Sequence, residues 1–395
     1  MTDSNAFDII VVGGGPVGLS CGWQAAARGQ RTLVLDRHGF FNERNGTSGA
    51  ERHWRLQYTQ EDLFRLTLAT EPLWRRLESL AERRLIHSIG SLWFGDVEVD
   101  TNEGQIAETM RVMDKLGLRY EALDVRDIER RFGFTNLPQH YAGFLQPDGG
   151  AIDVRGTLAA LYGLAQHHGC VLRAGERVID LAPDADGVTV RTDERTYRAA
   201  KVVLANGPGI NDLLGPLGAT LDIKLYEMAL VSLRRRDENV DFPFWFVFQQ
   251  PTEEDTNLFY GFGRNPWSPS ELVRLGPVFE VNPLDHADQA TNRPDPRHVR
   301  RLTSWVADHL PALDPEPAHT GACLAVLPSD LERQFYLGLA EGLVPHGENI
   351  VIYSAGWGFK FVPLLGEICV DLALNGGTPH DIARLAPTAT LEAQQ

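Results

Sequence analysis

An α/β (α+β) fold, in which a discontinuous parallel-sheet domain is joined to a second domain built on antiparallel sheet, is predicted by three observations. FDIIVV, a short β-branched run of the buried kind, ends at Gly13-Gly14-Gly15 and leads into a helical segment. Strands of the same type return far down the chain at KVVLANGPG and NIVIYSAG. Between them, FPFWFVFQQ and NLFYGFGRN alternate around the polar connection PTEEDT, as antiparallel neighbours do.

The first element carries the strongest signal. Glycines 13, 15 and 18 fit G-x-G-x-x-G, LSCGWQAAARG reads as a helix closing at Gly29, and RTLVLD is a second strand ending in Asp36. The spacing has a physical reason. One glycine makes the tight turn, one admits backbone close to a pyrophosphate, and one lets helix and strand pack closely. The helix N-terminus then faces the phosphates, and Asp36 is placed to accept hydrogen bonds from a ribose. The domain is therefore Rossmann-like, and the pattern alone does not separate FAD from NAD.

Length and composition exclude several classes. At 395 residues, roughly 150 per domain predicts two or three domains, enough to enclose a cofactor. With 53 acidic residues against 37 Lys and Arg, the field repels polyphosphate, so no nucleic acid is expected as partner. No apolar run approaches the ~18 residues of a membrane span. MTDSNAFD lacks the cationic stretch of a secretory signal, and a cytoplasmic location is expected. Cys21, Cys170, Cys323 and Cys369 are widely spaced without C-x-x-C, which predicts neither a disulfide framework nor a metal site.

After the second strand, GTSGAERHWRLQY reads as a cofactor-facing loop entering an amphipathic helix, EDLFRLTLATEPLWRRLESLAERR. On a helical turn Arg52 and Arg55 share a face and can clamp an anion, or they are a solvated pair. His53 between them reads as a hydrogen-bonding structural histidine. SIGSLWFG opens the second domain as a strand, and helices with a charged face run to about residue 135. DVRGTLAALYGLAQHHG is a helix, followed by strands and turns up to the Asn206-Gly207-Pro208-Gly209 turn, a second place where backbone can approach a cofactor. SELVRLGPVFEVNPLDHADQATNRPDPRHVRRLTSWVADHLPAL gives a loop and then a helix. YSAGWGFKFVPLLGE places Gly356 and Gly358 in a turn before a last helix that ends at Gly376. The segments 1–88, 150–218 and 320–395 are assigned to the cofactor domain, and 89–149 and 219–319 to the substrate domain.

Taken together, FDIIVVGGGPVGLS, VVLANGPG, CLAVLPSD and YSAGWGFKFVPLLGE resemble the D-amino-acid oxidase superfamily over nearly the whole chain. The likeness is closer to monomeric sarcosine oxidase and N-methyltryptophan oxidase. It implies FAD as cofactor, held covalently by a thioether from Cys323 to the flavin 8α-methyl. A free cysteine is otherwise a small buried hydrophobe. A thiol attacks as thiolate, so a neighbouring cation would assist. The resemblance also implies a cofactor-side role for Arg52, with Arg37, Ser48 and Val178, and a substrate-carboxylate role for Arg55 and Lys360. Tyr260, in FYGF, falls on an active-site tyrosine, with core packing as its other reading.

Three departures accompany the match. Arg274 stands where the family has the lysine that promotes reaction with oxygen, Val278 near its active-site histidine, and Ala325 at an aromatic position. Val278 and Ala325 predict a substrate larger and less polar than sarcosine, while Arg274 keeps a positive charge able to stabilise developing superoxide. The function expected is oxidation of a small amine or amino acid with electrons passed to O2, by a monomer or small homo-oligomer. The alternatives are a flavin dehydrogenase or desaturase with another acceptor, an NAD(P)H-dependent flavin hydroxylase, and a non-catalytic flavin-binding protein.

Overall fold

The computed structural model describes residues 5–43, 46–252, 256–268, 270–277 and 283–388. β1 (Ala6–Val12), α1 (Pro16–Ala27) and β2 (Thr32–Asp36) follow in the predicted order. Pro16 suits the first helical turn because its missing N–H would have no partner there. β1 is central, pairing in parallel with β2 on one side and with Thr196–Leu204 on the other. That strand is itself shared, antiparallel to Gly187–Thr192 near its start and parallel to Ile350–Ala355 at its end. Among the described residues the first sheet has eight strands. α1 packs against the helices Val154–His167 and Val362–Asn375, and burial around its whole circumference explains its small residues.

A second eight-stranded sheet runs Leu313–Pro328, Ile223–Arg235, Leu272–Pro277, Phe259–Gly261, Phe244–Phe248, Ser91–Gly95, Ala142–Gln146 and Glu121–Asp124. It is antiparallel except where Ser91–Gly95 lies parallel to Phe244–Phe248. A small three-stranded sheet joins β3 (Glu51–Trp54), Gly150–Asp153 and Ile86–His87.

Three sequence expectations are corrected. Leu272–Pro277, read as loop, is a strand held between Ile223–Arg235 and Phe259–Gly261. The arginine segment is strand rather than helical turn, because Glu51–Trp54 pairs residue by residue with Gly150–Asp153. The boundary at residue 320 falls inside Leu313–Pro328, which pairs with Ile223–Arg235 in the second sheet. Val278 lies outside the described residues. Among the described residues no helix is long and apolar enough to cross a membrane, and no His, Cys, Asp and Glu cluster could hold a metal.

Candidate active site

One continuous cavity runs from the C-terminal ends of β1 and β2 to the inner face of the second sheet. At its nucleotide end Gly13 has φ +107°, and a Cβ there would sit 2.4 Å from the Ala205 carbonyl oxygen. A Cβ on Gly18 would lie 1.8 Å from the Gly13 oxygen, so Gly18 serves helix-on-strand packing and stands off the cavity wall. Gly15 has open space around it, and the α1 N-terminus receives no side-chain cap, leaving backbone N–H groups for an anion.

Asp36 does more than the sequence indicated. Its Oδ2 accepts from Gly14 N at 2.8 Å, and its Oδ1 accepts from His38 N and Gly39 N at 2.9 and 2.8 Å. The carboxylate thus ties the glycine turn to the end of β2 while still lining the cavity. Arg37, Val178 and Gly207 line the same end. Asn206 Oδ1 is buried beside them without a partner. An uncapped helix start, an open glycine, a carboxylate at the strand end and an orphaned polar oxygen are together what the adenosine and pyrophosphate of a dinucleotide require.

At the other end Arg55 and Lys360 come together. Arg55 Nη1 lies 2.6 Å from Glu103 Oε2, in an ion pair 1% and 5% exposed. The Arg55 guanidinium carbon is 4.2 Å from the Tyr58 ring centroid, and Lys360 Nζ is 5.7 Å from the same centroid. Lys360 sits on the tight turn Gly358–Phe361 and donates from Nζ to the Trp357 carbonyl at 2.9 Å. Burial, and secondly the charge of Arg55, hold its ammonium well below the usual lysine value. His53 stacks on Phe244 at 3.5 Å and places Nε2 2.8 Å from Ser91 Oγ. Burial first, then Arg55 and Lys360, keep its proton affinity well below that of a free imidazole.

Arg52 faces elsewhere. Residues three apart on an extended chain point to opposite sides, so Arg52 and Arg55 do not form the expected clamp. Arg52 donates to the carbonyls of Gly46, Ser48 and Glu51 at 2.8 Å each. Ser48 therefore contributes its carbonyl to Arg52 and is not part of the cavity lining. Arg274 is paired as well, with Nε 2.5 Å from Glu51 Oε1 and Nη2 donating to Glu51 O at 2.9 Å. Cys323, Ala325, Tyr260, Gly356 and Gly358 line the cavity nearby.

Two carboxylates paired with the site arginines escaped the sequence reading. Glu103 lies in a polar turn without any motif, and Glu51 was visible only as the neighbour of Arg52. The sole available signal was two acids within a few residues of two arginines whose burial demands counter-charge.

The cavity's glycine-lined nucleotide end and its cation-bearing far end define a dinucleotide-dependent redox enzyme. Residues 8–372 match the FAD dependent oxidoreductase (DAO) family, and the chain belongs to it. The chain is similar to NikD, an unusual amino acid oxidase essential for nikkomycin biosynthesis. Their identity is 65%, over 98% of this chain and 99% of that one, with a TM-score of 0.94. Peroxisomal sarcosine oxidase of Homo sapiens is 29% identical over 95% of this chain and 94% of its own length. A bifunctional amine oxidase of Dictyostelium discoideum is 28% identical over 96% of this chain, which spans 37% of that protein's length. FAD is the cofactor that the nucleotide end accommodates.

Proposed function

We propose that this protein oxidises the C–N bond of an amino or imino acid of N-alkyl, cyclic or aromatic character to the imine, with electrons passed to O2 to give H2O2. The observation that carries this reading is the charge balance around Tyr58. Two buried cations, Arg55 and Lys360, face one buried anion, Glu103, which leaves one positive charge for one substrate carboxylate. The likeness to NikD and to sarcosine oxidase supports an amino acid as substrate.

Bound FAD supplies the two-electron acceptor chemistry. The chain's own residues supply position and field. Arg55, held by Glu103, and Lys360 fix the carboxylate and thereby the direction of the adjacent C–N bond. The same two cations disfavour an ammonium and so select the neutral amine. Phe244 and Phe246 form an apolar wall beside His53, and Ala325 leaves room for a side chain larger than that of sarcosine. Cys323 is the residue assigned to the thioether with the flavin. The strands of the first sheet hold FAD, and those of the second form the substrate platform. The protein acts in the cytoplasm as a monomer or small homo-oligomer.

The test is anaerobic mixing of the yellow protein with a panel of N-methyl, cyclic and aromatic amino acids, followed by admission of air. Bleaching by a panel member, with peroxide formed in equal amount on re-oxidation, is the expected result. Bleaching without peroxide would transfer the function to a dehydrogenase. A panel that leaves the flavin oxidised throughout would overturn the proposal.

A further inference from the structure

His53 lines the substrate end of the cavity and takes no part in the charge balance there. Two residues apart on an extended chain, it shares a face with Arg55. Its ring is fixed on three sides. The backbone pairs with Ala151, one face stacks on Phe244 at 3.5 Å and 13°, and Nε2 lies 2.8 Å from Ser91 Oγ. Ser91 and Phe244 are themselves register partners in the second sheet, so both supports belong to one rigid unit. The Nδ1 edge is what remains, and Nδ1 has no hydrogen-bond partner among the described residues.

The position of the imidazole proton follows from these neighbours. Burial first, then Arg55 and Lys360, keeps the ring neutral, so one nitrogen carries a proton and the other a lone pair. Ser91 Oγ already accepts from Gln57 Nε2 at 2.9 Å, and both residues are wholly buried. The buried oxygens Gln57 Oε1 and Gln146 Oε1 make no hydrogen bond, which leaves His53 Nε2 as the acceptor for the Ser91 hydroxyl proton. Nε2 therefore accepts, and the imidazole proton stays on Nδ1. We propose that His53 is a third donor of the carboxylate site, an N–H fixed at Nδ1 by Ser91 that bonds the substrate carboxylate beside Arg55 and Lys360. The inference rests on the reading of those two cations as the carboxylate site. His53 adds a directed bond and no further charge, and its rigid mounting means that little freedom is lost when the ligand binds. Ser91 and Gln57 are positioning residues, which act on the ligand only through the tautomer they impose.

The experiment titrates FAD-loaded protein with benzoate, read by flavin absorbance. His53→Phe keeps a ring against Phe244 but removes the N–H, and it should weaken benzoate roughly tenfold, the value of a hydrogen bond to a charged group. Magnetic resonance of protein carrying isotope-labelled histidine should find the His53 proton on Nδ1. That signal should move when benzoate is added, which a purely structural ring would not show. In Ser91→Ala the proton should redistribute between the two nitrogens. Wild-type benzoate affinity in His53→Phe, or a proton resident on Nε2, overturns the inference. If His53→Phe does not fold, the nitrogen signals decide, and an Nδ1 signal indifferent to benzoate counts against it. A Lys360→Met protein that binds benzoate as the wild type does refutes the carboxylate site itself; weakening by Lys360→Met but not by His53→Phe refutes the role of His53 alone.

Discussion

Arg55 and Lys360 approach a single ring, that of Tyr58, at 4.2 and 5.7 Å from its centroid, although they are far apart in sequence. Two buried cations remain so near each other because Glu103 neutralises one of them and the ring's negative face is turned to both. Burial also pushes the Tyr58 phenol up to about 12, so at neutral pH the ring stays uncharged.

Lys360→Met should weaken binding of a simple carboxylate such as benzoate by roughly 10- to 150-fold, the value of a hydrogen bond to a charged group. Titration of the flavin absorbance with benzoate measures it. An unchanged dissociation constant would remove Lys360 from the carboxylate site.

The pH dependence of that binding has a defined sign. The ammonium of Lys360 is lowered well below the ordinary lysine value, so its charge is present on the acid side and lost as pH rises through the lowered value. Benzoate affinity should therefore fall with rising pH sooner than a normal lysine would cause. Lys360→Met should flatten that fall. His53, lowered well below 6.5, stays neutral at neutral pH and adds no inflection there.

Glu103→Gln should destabilise the protein by about 3–5 kcal/mol, because it strands the buried Arg55 without a counter-charge. Urea unfolding followed by flavin fluorescence would show it. Saturating benzoate should restore part of the loss by supplying the missing anion; equal losses with and without benzoate would show that Arg55 does not face the ligand.

Gly13→Val should yield protein nearly free of flavin. The new side chain would have to adopt φ +107° and meet the Ala205 carbonyl at the point where the turn opens toward the phosphates. Measuring flavin per chain after purification tests this, and a full complement would contradict the assigned phosphate turn.

The nucleotide end of the site was legible because it is local. Gly13, Gly15, Gly18 and Asp36 lie within one strand-helix-strand unit, and their spacing is itself the mechanism. The substrate end was legible only as a set of candidates. An i, i+3 spacing reads as one face of a helix, and nothing in ERHW indicates that Gly150–Asp153 will pair with it and make it a strand. The partners of the arginines are non-local too, Glu103 lying 48 residues from Arg55 and Glu51 lying 223 from Arg274. LVRLGP reads as loop because it opens a segment that is proline-rich in its middle, a reading that the two flanking strands override.

The parallel pairing of Ser91–Gly95 with Phe244–Phe248 bears on the order in which the molecule can be made. As the ribosome releases the chain, the early strand must wait for a partner about 150 residues behind it. Thr196–Leu204 waits about as long, and β1 more than twice as long, before Ile350–Ala355 completes their sheet. The cavity lacks part of its wall until Ile350–Ala355 and the turn Gly358–Phe361 have emerged, so FAD meets a finished pocket and not a nascent one. A cut anywhere between Asp36 and Thr196 separates β1 and β2 from the strand that pairs with β1, so neither fragment keeps the whole nucleotide-side sheet.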